Sequence, residues 1–319
     1  MRFLEVSEQD GRYVAQVNET DTPVAGPGEV LVRVAASGVN RADLSQIAGR
    51  YPPPPGESTI LGLEVSGTVR GSDERVCALL AGGGHAEYVA APVGQLFPAP
   101  PQLDSASAAG IPEAYLTAFV NLGVEAGLGR GQTALIHAGA SGVGLAAIQI
   151  AKLLGARVVA TTRSKEKLSA LERAGADLAI HAPSEDLVKT IESRWGPGAV
   201  DLVLDPIGAA TLAGDLAVLA VGGTVVFIST MSGARADLDV TALMKRRGRI
   251  VGSTLRSRSR AEKAAIVARF RAEVLPGFAS GQLSVIVDSV VPVERAADAF
   301  QRMRENKNAG KIVLDWRGQ

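Results

Sequence analysis

Short apolar runs broken by Gly, Pro and Ser fill the first third of the chain: GEVLVRVAA at 28–36, ILGLEVSGTV at 60–69 and AEYVAA at 86–91. Runs of this kind, bounded by turn formers, predict strands and a compact, mostly β region. The rhythm changes near Ile111. PEAYLTAFVNLG opens a helical pattern, and apolar stretches then alternate with amphipathic ones: TALIHAG, GLAAIQIAKLLG, ARVVATT, KEKLSALERAG, VDLVLD, GTVVFIS and RIVGST. That alternation predicts βαβ units in a doubly wound parallel sheet, whose strands read as continuous apolar runs because both faces are covered. Beyond Thr254 the spacing predicts one long helix over roughly 259 to 275, with Pro276 and the Gly281 region as stops. An extended VIVDSVVPV, a helix through VERAADAFQRMREN and a strand KIVLDW follow. No internal repeat is present, and the tetraproline at 52–55 predicts a rigid turn.

At 319 residues the chain exceeds one ordinary core, which predicts two domains. Hydrophobic residues make up 46% and charged residues 21%, the balance of a packed α/β protein rather than a disordered one. Lys plus Arg and Asp plus Glu each number 33, so no net field draws the chain towards nucleic acid or anionic lipid. The MRFLEV start lacks a charged-then-apolar leader pattern and no window is apolar enough to span a bilayer; the expected location is cytoplasmic, with no membrane partner. A single cysteine, Cys77, excludes an internal disulfide and is expected to be a small buried hydrophobe. With only His85, His137 and His181 beside it, metal chemistry is short of ligands.

The stretch TALIHAGASGVGLAAIQIAKLLGARVVATT reads strand, glycine-rich turn, helix, strand, the setting in which a dinucleotide fingerprint carries weight. Gly139, Ser141 and Gly144 hold the positions of G-x-G-x-x-G, with Gly142 and Val143 between, so backbone amides at the helix start offer donors to a pyrophosphate. A serine-hydrolase elbow, G-x-S-x-G from Gly139, fails at Val143. At the tip of the second strand an acidic side chain would bind a ribose diol and repel a 2′-phosphate, but the chain has ATTRSKEKL. Arg163, Ser164 and Lys167 supply a planar fork, a hydroxyl and a point charge, which predicts NADPH; Ser164 also reads as an N-cap.

Eight blocks share a resemblance: NRADL at 40–44, YPPPPG at 51–56, ILGLEVSG at 60–67, LLAGGGHAEYV at 79–89, IPEAYLTAF at 111–119, IHAGASGVGLAAIQ at 136–149, LRSRS at 255–259 and NKNAGKIVL at 306–314. Together they resemble the quinone oxidoreductase branch of the medium-chain dehydrogenase/reductase superfamily, in particular the tumour-suppressor-inducible animal type and its bacterial relatives. The resemblance implies a GroES-like β-rich catalytic domain from 1–114 and 256–319, an inserted Rossmann NADPH-binding domain at 115–255, and a homodimer joined through the sheet edge at 249–255. An apolar edge strand left open is an aggregation hazard, which gives that pairing an independent reason. Zinc-dependent relatives carry a Cys where this chain has Asn40 and a His-Glu pair where it has Leu63-Glu64. The four-cysteine structural zinc loop is missing as well, so no metal is expected. The chain departs from the branch at 70–74, where RGSDE is a shortened connection, and at His181-Ala182, which replaces an Asn-Tyr pair near the adenosine 2′-phosphate and leaves Arg163 as substitute.

Without a metal, hydride transfer needs an electron-poor acceptor and a donor that stabilises the developing oxyanion. A quinone fits, because reduction restores aromaticity. The resemblance implies catalytic roles for Asn40 and Tyr51: the Asn40 amide N–H or the Tyr51 phenol hydrogen-bonds the acceptor oxygen, and Tyr51 relays a proton. It also implies Asn40, Thr117, Asp205, Ile228, Asn308 and Lys311 in cofactor binding. Taken alone, Asn40 with Asp43 reads equally as a helix cap, Tyr51 as packing and Asp205 as a turn residue. His85 and His137 show no partner and read as structural, and the basic run Arg256–Arg260 reads as a solvated helix entry. Three functions compete: NADPH-dependent reduction of quinones or related conjugated carbonyls, reduction of an enoyl thioester, and a catalytically silent NADPH-binding structural or RNA-binding protein. Aromatic residues at 4% and zero net charge argue against nucleic acid as the primary partner.

Overall fold

The computed structural model describes residues 1–318, which form two compact units, Met1–Leu116 together with the segment from Leu255 onward, and Thr117–Thr254. Along the first segment run β1 (Arg2–Gln9), β2 (Arg12–Glu19), β3 (Glu29–Val39), α1 (Arg41–Ile47), β4 (Glu64–Val69), β5 (Arg75–Leu79), β6 (Tyr88–Pro92), β7 (Leu96–Pro98), α2 (Ser105–Ala109) and α3 (Pro112–Phe119). The inserted segment alternates β8 (Thr133–Ile136), α4 (Gly142–Leu153), β9 (Arg157–Thr162), α5 (Leu168–Arg173), β10 (Leu178–His181), α6 (Leu187–Trp195), β11 (Val200–Asp205), α7 (Leu212–Val218), β12 (Leu219–Phe227), α8 (Val240–Arg246) and β13 (Arg249–Gly252). Then follow α9 (Arg260–Glu273), α10 (Pro276–Ala279), β14 (Val287–Pro292), α11 (Ala296–Arg304) and β15 (Lys311–Asp315).

In the first unit β1 and β2 form an antiparallel ribbon, and seven strands form a sheet in the order β14-β15-β3-β4-β5-β7, with β6 also on β3. The late strand β15 runs antiparallel to β3, with Ile312 opposite Val39. Val32, Val65, Phe300 and Ile312, which share no local stretch of sequence, are sealed together in its core. Cys77 lies in β5 as a buried residue whose Sγ donates to Ala108 O, and burial pushes its thiol pKa up. The shortened 70–74 connection is a tight hairpin loop, closed by Val69 N–H to Glu74 O at 3.1 Å with Gly71 at φ +85°.

Two expectations need adjustment here. The run from Ile60 does not become strand until Glu64, because Gly62 turns the chain at φ +99° and its N–H is drawn to Asp43. Pro276 does not stop the long helix, which already ends at Glu273; it opens the next turn, where a residue without N–H and with φ preset forfeits no hydrogen bond.

The second unit is a six-stranded sheet, β10-β9-β8-β11-β12-β13, in which every neighbouring pair is parallel. Strand order reverses between β8 and β11, so the carboxyl ends of these two strands flank the point where such sheets bind ligands. Leu135, Val159, Val203 and Val225 from four strands form its core with Ile191 and Leu216 of the covering helices. Strand β13 is an edge. No helix among the described residues is long and apolar enough to cross a membrane.

Candidate functional site

In the parallel unit the chain leaves β8 through His137, Ala138 and Gly139 and enters α4 at Gly142. Ser141 is the N-cap, its hydroxyl accepting from Gly144 N–H at 3.0 Å. Gly144 has no substitute, since a Cβ there would lie 2.5 Å from Ala138 O and 2.7 Å from the Gly139 backbone. Ala138 sits at φ +50°, a left-handed conformation that costs a non-glycine residue roughly 1–2 kcal/mol. The Gly142 and Val143 N–H groups make no hydrogen bond among the described residues. A helix N-terminus with free amides suits a pyrophosphate.

At the tip of β9, Arg163 is exposed, and its carbonyl accepts from His181 Nε2 at 3.2 Å. His181, at the end of β10, also meets Ser184 Oγ at 2.6 Å, so the residue beside the position of the absent tyrosine buttresses the Arg163 backbone. Ser164 precedes a short turn without capping it through its side chain, and Lys167 closes that turn with its N–H on Ser164 O. Asp205 ends β11 fully buried: its carboxylate accepts from the N–H of Ile207 and of Gly208 and from the Thr211 hydroxyl, closing the Asp-Pro-Ile-Gly turn. Ile228 follows β12 with its N–H on Asp205 O. Thr117 lies in α3 and its carbonyl accepts from Asn121 Nδ2 at 2.7 Å.

His137 does have partners, contrary to the expectation from its neighbours in sequence. Its Nε2 lies 2.8 Å from Asp215 Oδ1 in α7 and its Nδ1 2.9 Å from Thr161 Oγ1 in β9. Burial lowers the imidazole's proton affinity, but the Asp215 hydrogen bond and charge overcome this and raise its pKa above 6.5. Burial pushes Asp215 up to about 6 despite His137. The pair thus lies buried beside the Gly139–Gly144 turn, with Asp215 favouring the protonated form of His137. His85 is likewise partnered, 2.9 Å from Ser37 Oγ and 3.7 Å from Asp43.

In the GroES-like unit the polar groups converge on Asn40, which caps α1 at the end of β3. Its N–H donates to Asp43 Oδ2 at 2.7 Å. Its amide nitrogen donates to Gly38 O at 3.2 Å and Glu64 Oε1 at 2.8 Å, and its amide oxygen accepts from Lys311 Nζ at 2.8 Å. The Lys311 ammonium also donates to Val39 O and, through a short contact, to Glu64 Oε1. Lys311 is 4% exposed and Glu64 0%, so the pair is stable only because each charge faces the other and their remaining sites are filled. Gly38 is required here, for a Cβ would stand 2.2 Å from Glu64 Oε1. Asn308 lies in the loop before β15, donating to Gly310 O at 2.8 Å. Among the described residues no group of three or more His, Cys, Asp or Glu could hold a metal ion.

Sequence reasoning missed two members of this region. Arg256, read as part of a solvated run, is 3% exposed, with its guanidinium on Ala81 O, Tyr51 O and Gln46 Oε1 at 2.6–2.9 Å and stacked 5.1 Å over the Tyr51 ring. Only the later part of the run behaves as expected: Arg260 is half exposed and meets Glu29 and Glu57. Glu113, in the first turn of α3, donates its N–H to Glu64 Oε2 at 2.8 Å, while its own Oε2 is sealed from solvent with no partner among the described residues. Burial, then the Glu64 charge, push Glu113 up to about 8. Burial and the nearby Glu113 raise Tyr51, whose phenol makes no hydrogen bond among the described residues. A carboxylate directly after a helix-opening proline was the available signal for Glu113.

Comparison with known proteins follows the same division of the chain. Residues 26–101 match the alcohol dehydrogenase GroES-like domain, and residues 142–270 match the family described as zinc-binding dehydrogenase. Over 326 residues the chain is 29% identical to a quinone oxidoreductase of Lama guanicoe, spanning 98% of this chain and 97% of that protein. Over 315 residues it is 30% identical to the synaptic vesicle membrane protein VAT-1 homolog of Rattus norvegicus, spanning 92% of this chain and 78% of that one. The quinone oxidoreductase from Thermus thermophilus, whose crystal structures include its complex with NADPH, matches 99% of this chain and 100% of its own at 31% identity and TM-score 0.84. Likeness of this extent, carried through both units, means that the chain is an oxidoreductase and belongs to the medium-chain dehydrogenase/reductase superfamily, in its quinone oxidoreductase branch.

Proposed function

We propose that the chain reduces quinones or related conjugated carbonyl compounds by hydride transfer from NADPH, without zinc. The observation that carries the reading is the Lys311 ammonium held by Asn40 and Glu64. Where zinc-dependent relatives set metal ligands, this chain presents an amide and a leucine, and the one carboxylate there already neutralises a cation of its own. NADPH, when bound, supplies the hydride. The open amides of Gly142 and Val143, in the turn set by Gly139, Ser141 and Gly144, suit its pyrophosphate, and Arg163, Ser164 and Lys167 suit its 2′-phosphate. Thr117, Ile228 and Asn308 complete its contacts in this reading. Asp205 serves through the turn it closes and Lys311 through its grip on Asn40.

Towards the acceptor, Tyr51 is the donor, because both Asn40 amide protons are already engaged; Asn40 holds the local frame. Relatives reported as quinone oxidoreductases, one with an NADPH complex, support the substrate class and cofactor. Strand β13 is the proposed meeting edge with a second copy, beside Val240 and Met244 of α8, which are 57% and 71% exposed. The test is a steady-state screen of NADPH oxidation against quinones, enals and enoyl thioesters, with metal analysis of the same sample. Quinone or enal turnover that survives chelators is expected. Turnover of enoyl thioesters alone, or stoichiometric zinc with activity lost to chelators, would overturn the reading.

A further inference from the structure

Tyr51, the phenol proposed to face the acceptor, stands where the fold supplies little to hold it. Residues 48–63, between α1 and β4, form no helix or strand, and the prolines at 52–55 have no N–H with which to tie the chain down. Among the described residues Tyr51 makes one hydrogen bond, and its donor is Arg256: Nη1 reaches the Tyr51 carbonyl at 2.9 Å. The same guanidinium lies 5.1 Å over the Tyr51 ring, a distance at which a cation is attracted to an aromatic face. Two further bonds fix it from other directions. Nε donates to Ala81 O at 2.7 Å, just after β5, and Nη2 to Gln46 Oε1 at 2.6 Å, in α1. Gln46 Nε2 in turn donates to Thr59 O at 2.8 Å, which joins Arg256 to the far arm of the same loop. Arg256 is 3% exposed and hydrogen-bonds only neutral oxygens, so its charge is not there to neutralise a carboxylate in direct contact.

We propose that Arg256 is the positioning residue for Tyr51: its bond to the Tyr51 carbonyl sets the phenol, and the cation held over the ring favours release of the phenolic proton, a role that rests on the reductase reading above. In that reading the acceptor receives a hydride, with both its electrons, at one atom and is left with an oxyanion. The Tyr51 O–H bond breaks as a new O–H bond forms on that oxygen, and water returns a proton to the phenolate. Net consumption is one acceptor, one NADPH and one solvent proton. The ring becomes more electron-rich as its proton leaves, so its attraction to the guanidinium is stronger in the transition state than before it. Burial, then Glu113 of α3, raise the Tyr51 pKa, and Arg256 acts against both. The guanidinium itself feels Tyr51, Asp43 of α1, Glu113 and Glu57 of the loop, each favouring its charge.

The experiment is a double-mutant cycle in the whole chain, each variant first shown to unfold cooperatively. Arg256→Gln keeps a donor and loses the charge, whereas Arg256→Lys keeps the charge and loses the planar fork. Single-turnover acceptor reduction should slow roughly tenfold in Arg256→Gln, with part of the loss recovered in Arg256→Lys and NADPH affinity within about twofold of wild type. In a Tyr51→Phe background the Arg256→Gln substitution should change the rate by less than about twofold, because the residue acts through the phenol. The tyrosine Cζ resonance missing from Tyr51→Phe, followed by carbon-13 NMR, should titrate about half to one pH unit higher in Arg256→Gln than in wild type. Equal slowing in both backgrounds, a wild-type rate in Arg256→Gln, or an unmoved phenol titration overturns the proposal. Should Arg256→Gln fail to fold, Arg256→Lys is carried through the same cycle, and equal slowing with and without the phenol again overturns it. A wild type that reduces no acceptor, with the phenol titration moving as expected, would instead remove the reductase reading and the positioning role with it.

Discussion

In the GroES-like unit, Asn40, Glu64 and Lys311 come from three separate stretches of chain and satisfy one another with almost no exposure to water, whereas in the Rossmann unit the turn from Gly139 to Gly144 is built from adjacent residues and leaves two amides open. The first arrangement is closed: the ammonium has three acceptors and the amide uses both protons and its oxygen. The second is unfinished and awaits an anion. Placing both in one protein teaches that polarity at a site has two uses. A satisfied network fixes position, and it is the unsatisfied groups, such as the Gly142 and Val143 amides and Glu113 Oε2, that are available for binding or proton transfer.

The sharpest way to break this comparison is to open the closed network. Lys311→Met leaves Glu64 buried and uncompensated and should cost about 3–5 kcal/mol in denaturant unfolding, with much of the loss recovered in Lys311→Met/Glu64→Gln. A Lys311→Met variant as stable as the parent would mean that water reaches the site. A smaller effect is expected at His137. Because its folded pKa is raised above 6.5, its protonated form contributes stability that is complete below 6.5 and lost as pH rises through the raised value. Asp215→Asn should lower stability by about 1.5–3 kcal/mol below pH 6.5 and flatten the decline above it, which pH-resolved unfolding would show.

Function should respond more gently than stability. Tyr51→Phe is expected to slow single-turnover acceptor reduction by roughly ten- to a hundredfold with NADPH affinity unchanged, because the lost donor acts on charge that exists only in the transition state. Unchanged single-turnover rates would leave proximity as the main effect. Smallest is Arg163→Ala: exposed and, among the described residues, held through its backbone, it should weaken NADPH binding about tenfold while leaving NADH binding alone. Equal losses for both cofactors, measured by titration, would show that it does not read the 2′-phosphate.

Local features were readable in the sequence, and contacts between distant residues were not. The strand–turn–helix around Gly139, the alternating parallel unit and the β-rich first segment each announce themselves within a dozen residues, because periodicity and turn chemistry are near-neighbour effects. Asn40 could be suspected from its motif, but its partners lie 24 and 271 positions away, and nothing local says that its amide protons are taken. The same distance hid the His137–Asp215 pair, 78 positions apart. Arg256 misled for a related reason. Charged runs are usually solvated, and only the folded chain brings Ala81 O, Tyr51 O and Gln46 Oε1 together to receive one guanidinium.

The pairing of β15 with β3 sets an order of events during synthesis. The Rossmann unit is one continuous stretch, so all six of its parallel strands are available before Leu255 has left the ribosome. The GroES-like sheet must wait for residues 311–315, and until then β3 has an open edge and Glu64 has no counter-charge. Its first 116 residues therefore spend the whole translation of the insert exposing an unpaired strand, the interval in which a nascent chain is most prone to pair with the wrong partner. Truncation just before Lys311 should accordingly trap a chain whose Rossmann half is folded and whose other half is held by chaperones.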